Sequence, residues 1–284
     1  MPSLQNCHNI ADLRRRAKSK LPRPMFDYID GGADDEWSMR RNTAAFDELE
    51  LLPSYLRNIE TIDLKTKVLG TTLDLPFFLA PTGMSRLFHH HKELGACRAA
   101  DKFGTLYSLS TMGTTSLEDV AAATKGPKMF QIYILKDREL TRVFVQRCRA
   151  SSYQALCLTV DTPLAGNRER DLVNGMTMPP KITPKNFFSY GFSFEWLFNL
   201  ARDPDFKLAN VAHRVDALGK GAMGRPSLHS QHEQLLPTKQ LRAVVLKMHD
   251  AFPRLCAAWN EENAMRKNWA LLFSRLDTDG SGRL

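Results

Sequence analysis

The segment LCLTVDTPLAGNRERD, residues 156–171, turns abruptly from a buried strand into a charged loop. Leu156, Cys157, Leu158 and Val160 are apolar, and β-branched Thr159 among them suits a pleated, half-buried surface. Pro163 has no N–H to continue a ladder, and Gly166 loosens the turn that follows. Beyond it stand Arg168, Glu169, Arg170 and Asp171. In a parallel α/β protein, the C-terminal ends of strands are where side chains meet ligands. A carboxylate there, Asp161, with Arg168 on the emerging loop, can orient a base and hold an anion. Charges that merely solvate a strand end would read the same way, so the rest of the chain has to decide.

Working outward, three similar apolar runs precede this one: FFLA at 77–80, LYSLS at 106–110 and MFQIY at 129–133. Helical patterns lie between them. Residues 92–103 place Leu94, Ala96, Cys97, Ala99 and Ala100 for packing on a sheet. Ser116-Leu117-Glu118-Asp119 carries the S-x-x-D capping pattern ahead of Val120. Residues 137–149 have Leu140, Val143, Phe144 and Val145, with Arg147 and Arg149 at the end that the macrodipole prefers. Strand alternating with helix means parallel β/α units. Each strand leaves ligand-type residues at its end, which predicts an α/β fold of the eight-stranded β/α (TIM) barrel class. A doubly wound dinucleotide fold is disfavoured, because no GxGxxG follows the first strand.

The composition fits this. With 284 residues and 43% hydrophobic content, the chain can bury a sizeable core. Its net charge of +8 is spread from Arg14-Arg15-Arg16 through Arg40-Arg41 to Arg147 and Arg149. No basic stripe is interleaved with aromatics, so nucleic acid is not the expected partner. An anionic small molecule, a phosphate-bearing cofactor or an acidic membrane surface all suit the balance. The five cysteines, Cys7, Cys97, Cys148, Cys157 and Cys256, lack CxxC spacing and read as reduced thiols of a cytoplasmic protein. No run reaches the length of a membrane span. Phe187, Phe188, Tyr190, Phe192, Phe194, Trp196, Leu197 and Phe198 nevertheless crowd together. These aromatics either fold back onto the protein or lie against a membrane peripherally, with flanking lysines among the headgroups.

Five motifs resemble the FMN-dependent α-hydroxy-acid dehydrogenases and oxidases, the family of glycolate oxidase, flavocytochrome b2, mandelate dehydrogenase and bacterial L-lactate dehydrogenase. They are FDYIDGGADDE at 26–36, LAPTGM at 79–84, SLSTMGTTSLEDVA at 108–121, FQIY at 130–133 and TVDTP at 159–163. They come in the family's order and spacing. The resemblance implies FMN as cofactor and a small L-2-hydroxy acid, such as L-lactate, as substrate. It places Pro81, Thr82 and Gly83 against the flavin ring, and Ser110, Gln131 and Thr159 on its polar edge. It gives Tyr28 the substrate carboxylate, Tyr133 the substrate hydroxyl and Arg168 the substrate anion. Asp161 would orient the catalytic histidine. Alanine is common in the oxidases at the position of Gly83, and glycine in several membrane-linked dehydrogenases. With the aromatic segment, Gly83 tilts the reading toward a dehydrogenase that passes electrons to a quinone or cytochrome. Met112 sits where the family varies a pocket side chain. The family also implies an oligomer.

The resemblance covers about the first 215 residues. The reading is therefore of a barrel truncated to about four β/α units within residues 1–224, a linker at 225–237 and a helical tail at 238–284. No strand context surrounds His229, His232 or His249, and His213 precedes the expected fifth strand, so the catalytic histidine is not found. The chain alone is expected to bind FMN weakly and to turn over no hydroxy acid. His89-His90-His91 reads as a loop rather than a metal site. The tail sequence NWALLFSRLDTDGSGRL at 268–284 looks like the first half of an EF-hand, with Asp277, Asp279 and Ser281 at calcium-ligand positions. An alternative reading is thus a non-enzymatic, calcium-responsive interaction protein with a decayed half-barrel.

Overall fold

The computed structural model describes residues 4–58, 60–133, 138–160, 166–177 and 182–212. Along the chain run α1 (Ile10–Lys20), α2 (Arg23–Asp30), α3 (Trp37–Ala44), β1 (Thr66–Val68), β2 (Thr71–Leu73) and β3 (Leu79–Thr82). They are followed by α4 (Lys92–Lys102), β4 (Tyr107–Ser110), α5 (Leu117–Ala123), β5 (Lys128–Ile132), α6 (Arg138–Ala150) and β6 (Ala155–Leu158). Last come α7 (Glu169–Asn174), α8 (Phe187–Gly191) and α9 (Phe194–Arg202). They group into two compact units: a sheet unit from residues 64–85, 91–165 and the segment beginning at Lys207, and a helical unit from residues up to Asp63, 86–90 and 166–206.

In the sheet unit, β3, β4, β5 and β6 lie side by side in that order, all parallel. The expected β/α alternation is thus present. β4 and β5 are buried along their whole length, as parallel strands covered on both faces must be. Alternation sorts their side chains. Tyr107, Leu109, Phe130 and Ile132 share a core with Cys97, Ala100, Val120, Phe144 and Cys148. Met129 and Ala155 join Leu73 and Leu106 in a second cluster. The Phe130 and Phe144 rings tilt against each other at 5.5 Å between centroids. Ser116 caps α5 as its motif predicts, its hydroxyl accepting from the Asp119 amide at 3.0 Å. Arg147 of α6 grips Glu118 of α5 through two bonds of 2.7 Å. Burial pushes the Cys97 thiol up to about 11 and the Cys148 thiol up to about 12, so both stay protonated and inert.

Three details differ from expectation. Pairing in the first run starts at Leu79, not Phe77; Phe77 and Phe78 are exposed before it. The last strand stops at Leu158, although the Thr159 amide still donates to the Ile132 carbonyl at 3.0 Å. The antiparallel hairpin β1–β2 was not anticipated. Its two-residue turn puts both Leu69 (φ 51°) and Gly70 (φ 77°) in left-handed backbone, the I′ geometry that matches strand twist. Leucine is an unusual residue there, which hid the signal. Gly104 (φ +60°) stands in left-handed backbone that strains a side chain, and an added Cβ would also meet the Asp74 side chain, 2.0 Å from Oδ2.

In the helical unit, α2 packs against α7 and α1 against α9. Arg170 of α7 bonds Asp30 and Glu36, and Arg14 bonds Asp30 as well. The Arg14 guanidinium holds the Asp30 carboxyl below its usual range. Buried Arg86 donates to the carbonyls of Asn199 (3.2 Å) and Leu200 (3.3 Å), near the negative end of α9. The aromatics of 187–198 divide. Tyr190 and Trp196 are buried, with the indole N–H on the Leu87 carbonyl at 2.7 Å, while Phe187, Phe188, Phe192, Phe194 and Phe198 are exposed. The linker at 225–237, the tail at 238–284 and with it Asp277, Asp279 and Ser281 lie outside the described residues.

Candidate functional site

Strand register builds the first constellation. Ser110 ends β4 and is paired in register with Gln131 of β5. Gln131 is paired with Cys157 of β6, so Thr159, two residues on, points the same way. The three polar side chains join in a row. Ser110 Oγ donates to Gln131 Oε1 at 3.0 Å, and Gln131 Nε2 donates to Thr159 Oγ1 at 2.6 Å. The Thr111 amide also reaches Gln131 Oε1 at 3.2 Å. A backbone N–H can only donate, so this contact fixes which way the carboxamide faces. Ser110 and Gln131 are buried and Thr159 is half-buried. The row runs donor to acceptor toward Thr159, leaving the Thr159 O–H and the second amide hydrogen of Gln131 without an acceptor among the described residues.

Around the row lie the loops after β3 and β4. Pro81 is half-buried and Thr82 exposed in β3, and Thr82 is in register with Leu109. Gly83 follows, and a Cβ on it would come 3.0 Å from Met112 Cβ and 3.4 Å from the Met112 carbonyl oxygen. Met84 stands in left-handed backbone (φ 58°), its amide donating to that same carbonyl at 2.9 Å. Left-handed backbone at a non-glycine residue is strained and is held by its surroundings. Tyr133 follows β5, half-buried against the helix-side core. Asn210, fully buried, fixes the far end of the β4 loop. Its Oδ1 accepts from the Leu117 amide at 2.9 Å, and its Nδ2 donates to the Thr115 carbonyl at 3.3 Å. Asp161 lies outside the described residues.

The second constellation belongs to the helical unit. Arg168 and Tyr28, both assigned to the substrate by the family resemblance, meet there. The guanidinium carbon stands 5.0 Å above the Tyr28 ring, and Nη2 donates to the Tyr28 carbonyl. Nε donates to Asp171 Oδ2 at 2.7 Å. Asp171 is buried, and its Oδ1 has no hydrogen-bond partner among the described residues. Burial raises its carboxyl above the usual range, against the pull of Arg168, and nearby Asp27 adds to the rise. A carboxyl raised on folding favours the native state below its unfolded value and loses that contribution as pH rises through the folded value. Asp171→Asn is therefore expected to flatten the fall in melting temperature as pH rises above the ordinary carboxylate value of about 4. An unchanged pH profile would show that Asp171 is not the raised carboxyl.

Of the three consecutive histidines, His89 and His90 stack at 4.4 Å, and His90 Nδ1 is hydrogen-bonded to Asn199 Oδ1. Asn199 thus holds the His90 ring against its neighbour.

The sheet unit is a parallel β/α array with a polar row across its strand ends. Residues 17–272 match the model of the FMN-dependent dehydrogenase family, and the chain belongs to that family. It is 42% identical over 212 residues to a Mycobacterium tuberculosis protein provisionally named L-lactate dehydrogenase, covering 74% of this chain and 51% of that one. Glycolate oxidase of Spinacia oleracea is 38% identical over 179 residues, covering 63% of this chain and 48% of the relative. Among solved structures, the monotopic membrane protein (S)-mandelate dehydrogenase superposes with a TM-score of 0.70 at 30% identity, over 75% of this chain and 59% of that chain. The chain spans about half the length of the curated relatives it matches.

Proposed function

We propose that this chain binds FMN and serves the oxidation of a small L-2-hydroxy acid, of the lactate and glycolate class, to its 2-oxo acid. The observation that carries the reading is the Ser110–Gln131–Thr159 row. Three neutral polar side chains at adjacent strand ends, two buried and Thr159 half-buried, are hydrogen-bonded in a row and, among the described residues, still hold spare donors. A flavin's polar edge offers carbonyl acceptors to such donors. Gly83, bare of a Cβ where one would crowd Met112, leaves backbone open to close approach. FMN, when bound, supplies a two-electron acceptor for the hydroxy acid. Arg168 then binds the substrate carboxylate with N–H groups not used on Asp171 and Tyr28, and Tyr133 receives the substrate hydroxyl. The proton-accepting base is not assigned to any of the described histidines, His8, His89, His90 and His91.

Titration of the purified chain with FMN tests this. Quenching of flavin fluorescence to a saturable end point is expected, and unquenched fluorescence in a folded chain sinks the reading. Bleaching of the bound flavin by L-lactate would also show that the chain contains its base, against the expectation that it turns nothing over alone.

We place the electron acceptor in a membrane, as a quinone or cytochrome, rather than assigning the electrons to oxygen. Gly83 supports this, as do the exposed phenylalanines of α8 and α9 and the basic helix α1 packed on α9. Among the described residues no helix is long and apolar enough to cross a membrane. Sedimentation with anionic liposomes is expected to carry the chain down, and Phe188→Ser with Phe192→Ser to leave it in the supernatant. If both sediment alike, the aromatic face is not the contact.

A further inference from the structure

Glu93, the second residue of α4, is 1% exposed. Its carboxylate collects donors from two loops of the sheet unit. Oε1 accepts from the Ser85 amide (3.3 Å), the Thr114 amide (2.8 Å) and the Thr114 hydroxyl (3.1 Å). Oε2 accepts from the hydroxyls of Thr114 (2.9 Å) and Thr115 (2.7 Å). Ser85 belongs to the loop after β3, directly behind Gly83 and the left-handed Met84. Thr114 and Thr115 belong to the loop after β4, directly behind Met112. The two loops also touch each other, through the Met84 amide on the Met112 carbonyl.

Burying a carboxylate is costly unless every lone pair is matched, and one that is fully matched rigidifies its surroundings. We propose that Glu93 is a positioning residue for the cofactor, an inference that rests on the FMN reading above. It locks the Gly83–Ser85 backbone to the Met112–Thr115 backbone. The bare face of Gly83 and the end of the Ser110–Gln131–Thr159 row are thereby kept in one geometry before any ligand arrives. Glu93 itself touches neither the row nor its spare donors, so its influence passes through the two loops. Preorganisation of this kind sets the affinity and electronic environment of a bound ring rather than adding a contact to it.

The test compares wild type, Glu93→Gln, Glu93→Ala and Thr115→Val for FMN affinity by fluorescence quenching, and for the visible absorption spectrum of the flavin at saturation. Glu93→Ala is expected to weaken FMN at least about tenfold and to shift the flavin bands, since the loops relax around the lost carboxylate. Glu93→Gln keeps the acceptor for both backbone amides, and its NH2 can face hydroxyls that turn to accept, so it should stay near wild type. Thr115→Val removes one donor with little change in volume. It should shift the bands in the same direction by less, and it covers the case in which Glu93→Ala does not fold. Folded variants with wild-type affinity and wild-type spectra overturn the inference while leaving the FMN reading standing. A wild-type chain that binds no FMN removes both.

Discussion

Gln131→Leu is expected to reduce FMN affinity at least ~100-fold. Leucine fills nearly the same space, so the change removes hydrogen bonds rather than packing. In the native chain, Oε1 takes the Ser110 hydroxyl and the Thr111 amide, and Nε2 supplies Thr159. The Thr111 amide keeps a second partner in the Gln131 carbonyl at 3.1 Å. Ser110, buried at the same level, loses its acceptor, and the orientation of Thr159 is no longer imposed. A ligand edge placed there meets one donor fewer and a Thr159 hydroxyl no longer held in place, while Ser110 Oγ keeps only the Met112 amide. Each unmatched polar group costs about 1–3 kcal/mol. Two such losses, about 3 kcal/mol in all, correspond to roughly two decades of affinity. Ser110→Ala, at the end of the row, should cost about one decade. The measurement is the FMN dissociation constant by fluorescence quenching, with circular dichroism to confirm the fold. A folded Gln131→Leu chain that binds FMN like wild type would mean that the row only ties strands together.

The strands and the row were readable because periodicity and polarity conflict there. Ser110, Gln131 and Thr159 interrupt apolar runs at matching depths, which a purely structural strand avoids. Tyr28 and Arg168 lie in separate stretches, and no spacing rule brings residues so far apart in sequence together. Only the family resemblance assigned them to one substrate. Glu93 escaped for the opposite reason. It lies four residues before Cys97 and seven before Ala100, on the face those residues bury, but a glutamate in the first turn of a helix is the ordinary choice for the macrodipole. Ala96 and Ala99, expected inside, are exposed instead. Alanine is too small to declare a face, and the lone carboxylate on the buried stripe was the better marker. Asn210 gave no signal at all, because its value lies in two backbone groups of a loop 93 and 95 residues away. The aromatic run was ambiguous in sequence because its members do different things. A helix of five residues and one of nine can bury Tyr190 and Trp196 while turning four phenylalanines outward, with Phe192 exposed between them.

Arg168→Met is expected to lower the affinity of the flavin-loaded chain for hydroxy-acid anions by a further factor of ~100 or more. The guanidinium has five N–H groups. Among the described residues, one is used on Asp171 and one on the Tyr28 carbonyl, so three are left. Stacked over the Tyr28 ring and anchored at Nε, the plane is already oriented, and a carboxylate can be taken in the two-bond geometry that a lysine cannot offer. Two charge-assisted bonds at about 1.5–3 kcal/mol each set the size of the loss. Arg168→Lys keeps the charge but not the fork and should fall between. The substitution has a second effect that must be separated from the first. Removing Arg168 leaves the buried Asp171 carboxylate without its cation, and burial already works against that charge. Arg168→Met should therefore also lower the melting temperature at neutral pH. Combining it with Asp171→Asn removes the stranded charge and should restore most of the stability while leaving anion binding lost. The readout is the perturbation of the bound flavin's spectrum by L-lactate and by oxalate, alongside thermal unfolding. If the double substitution restores both stability and anion binding, Arg168 serves only to neutralise Asp171, and the substrate carboxylate must be held elsewhere.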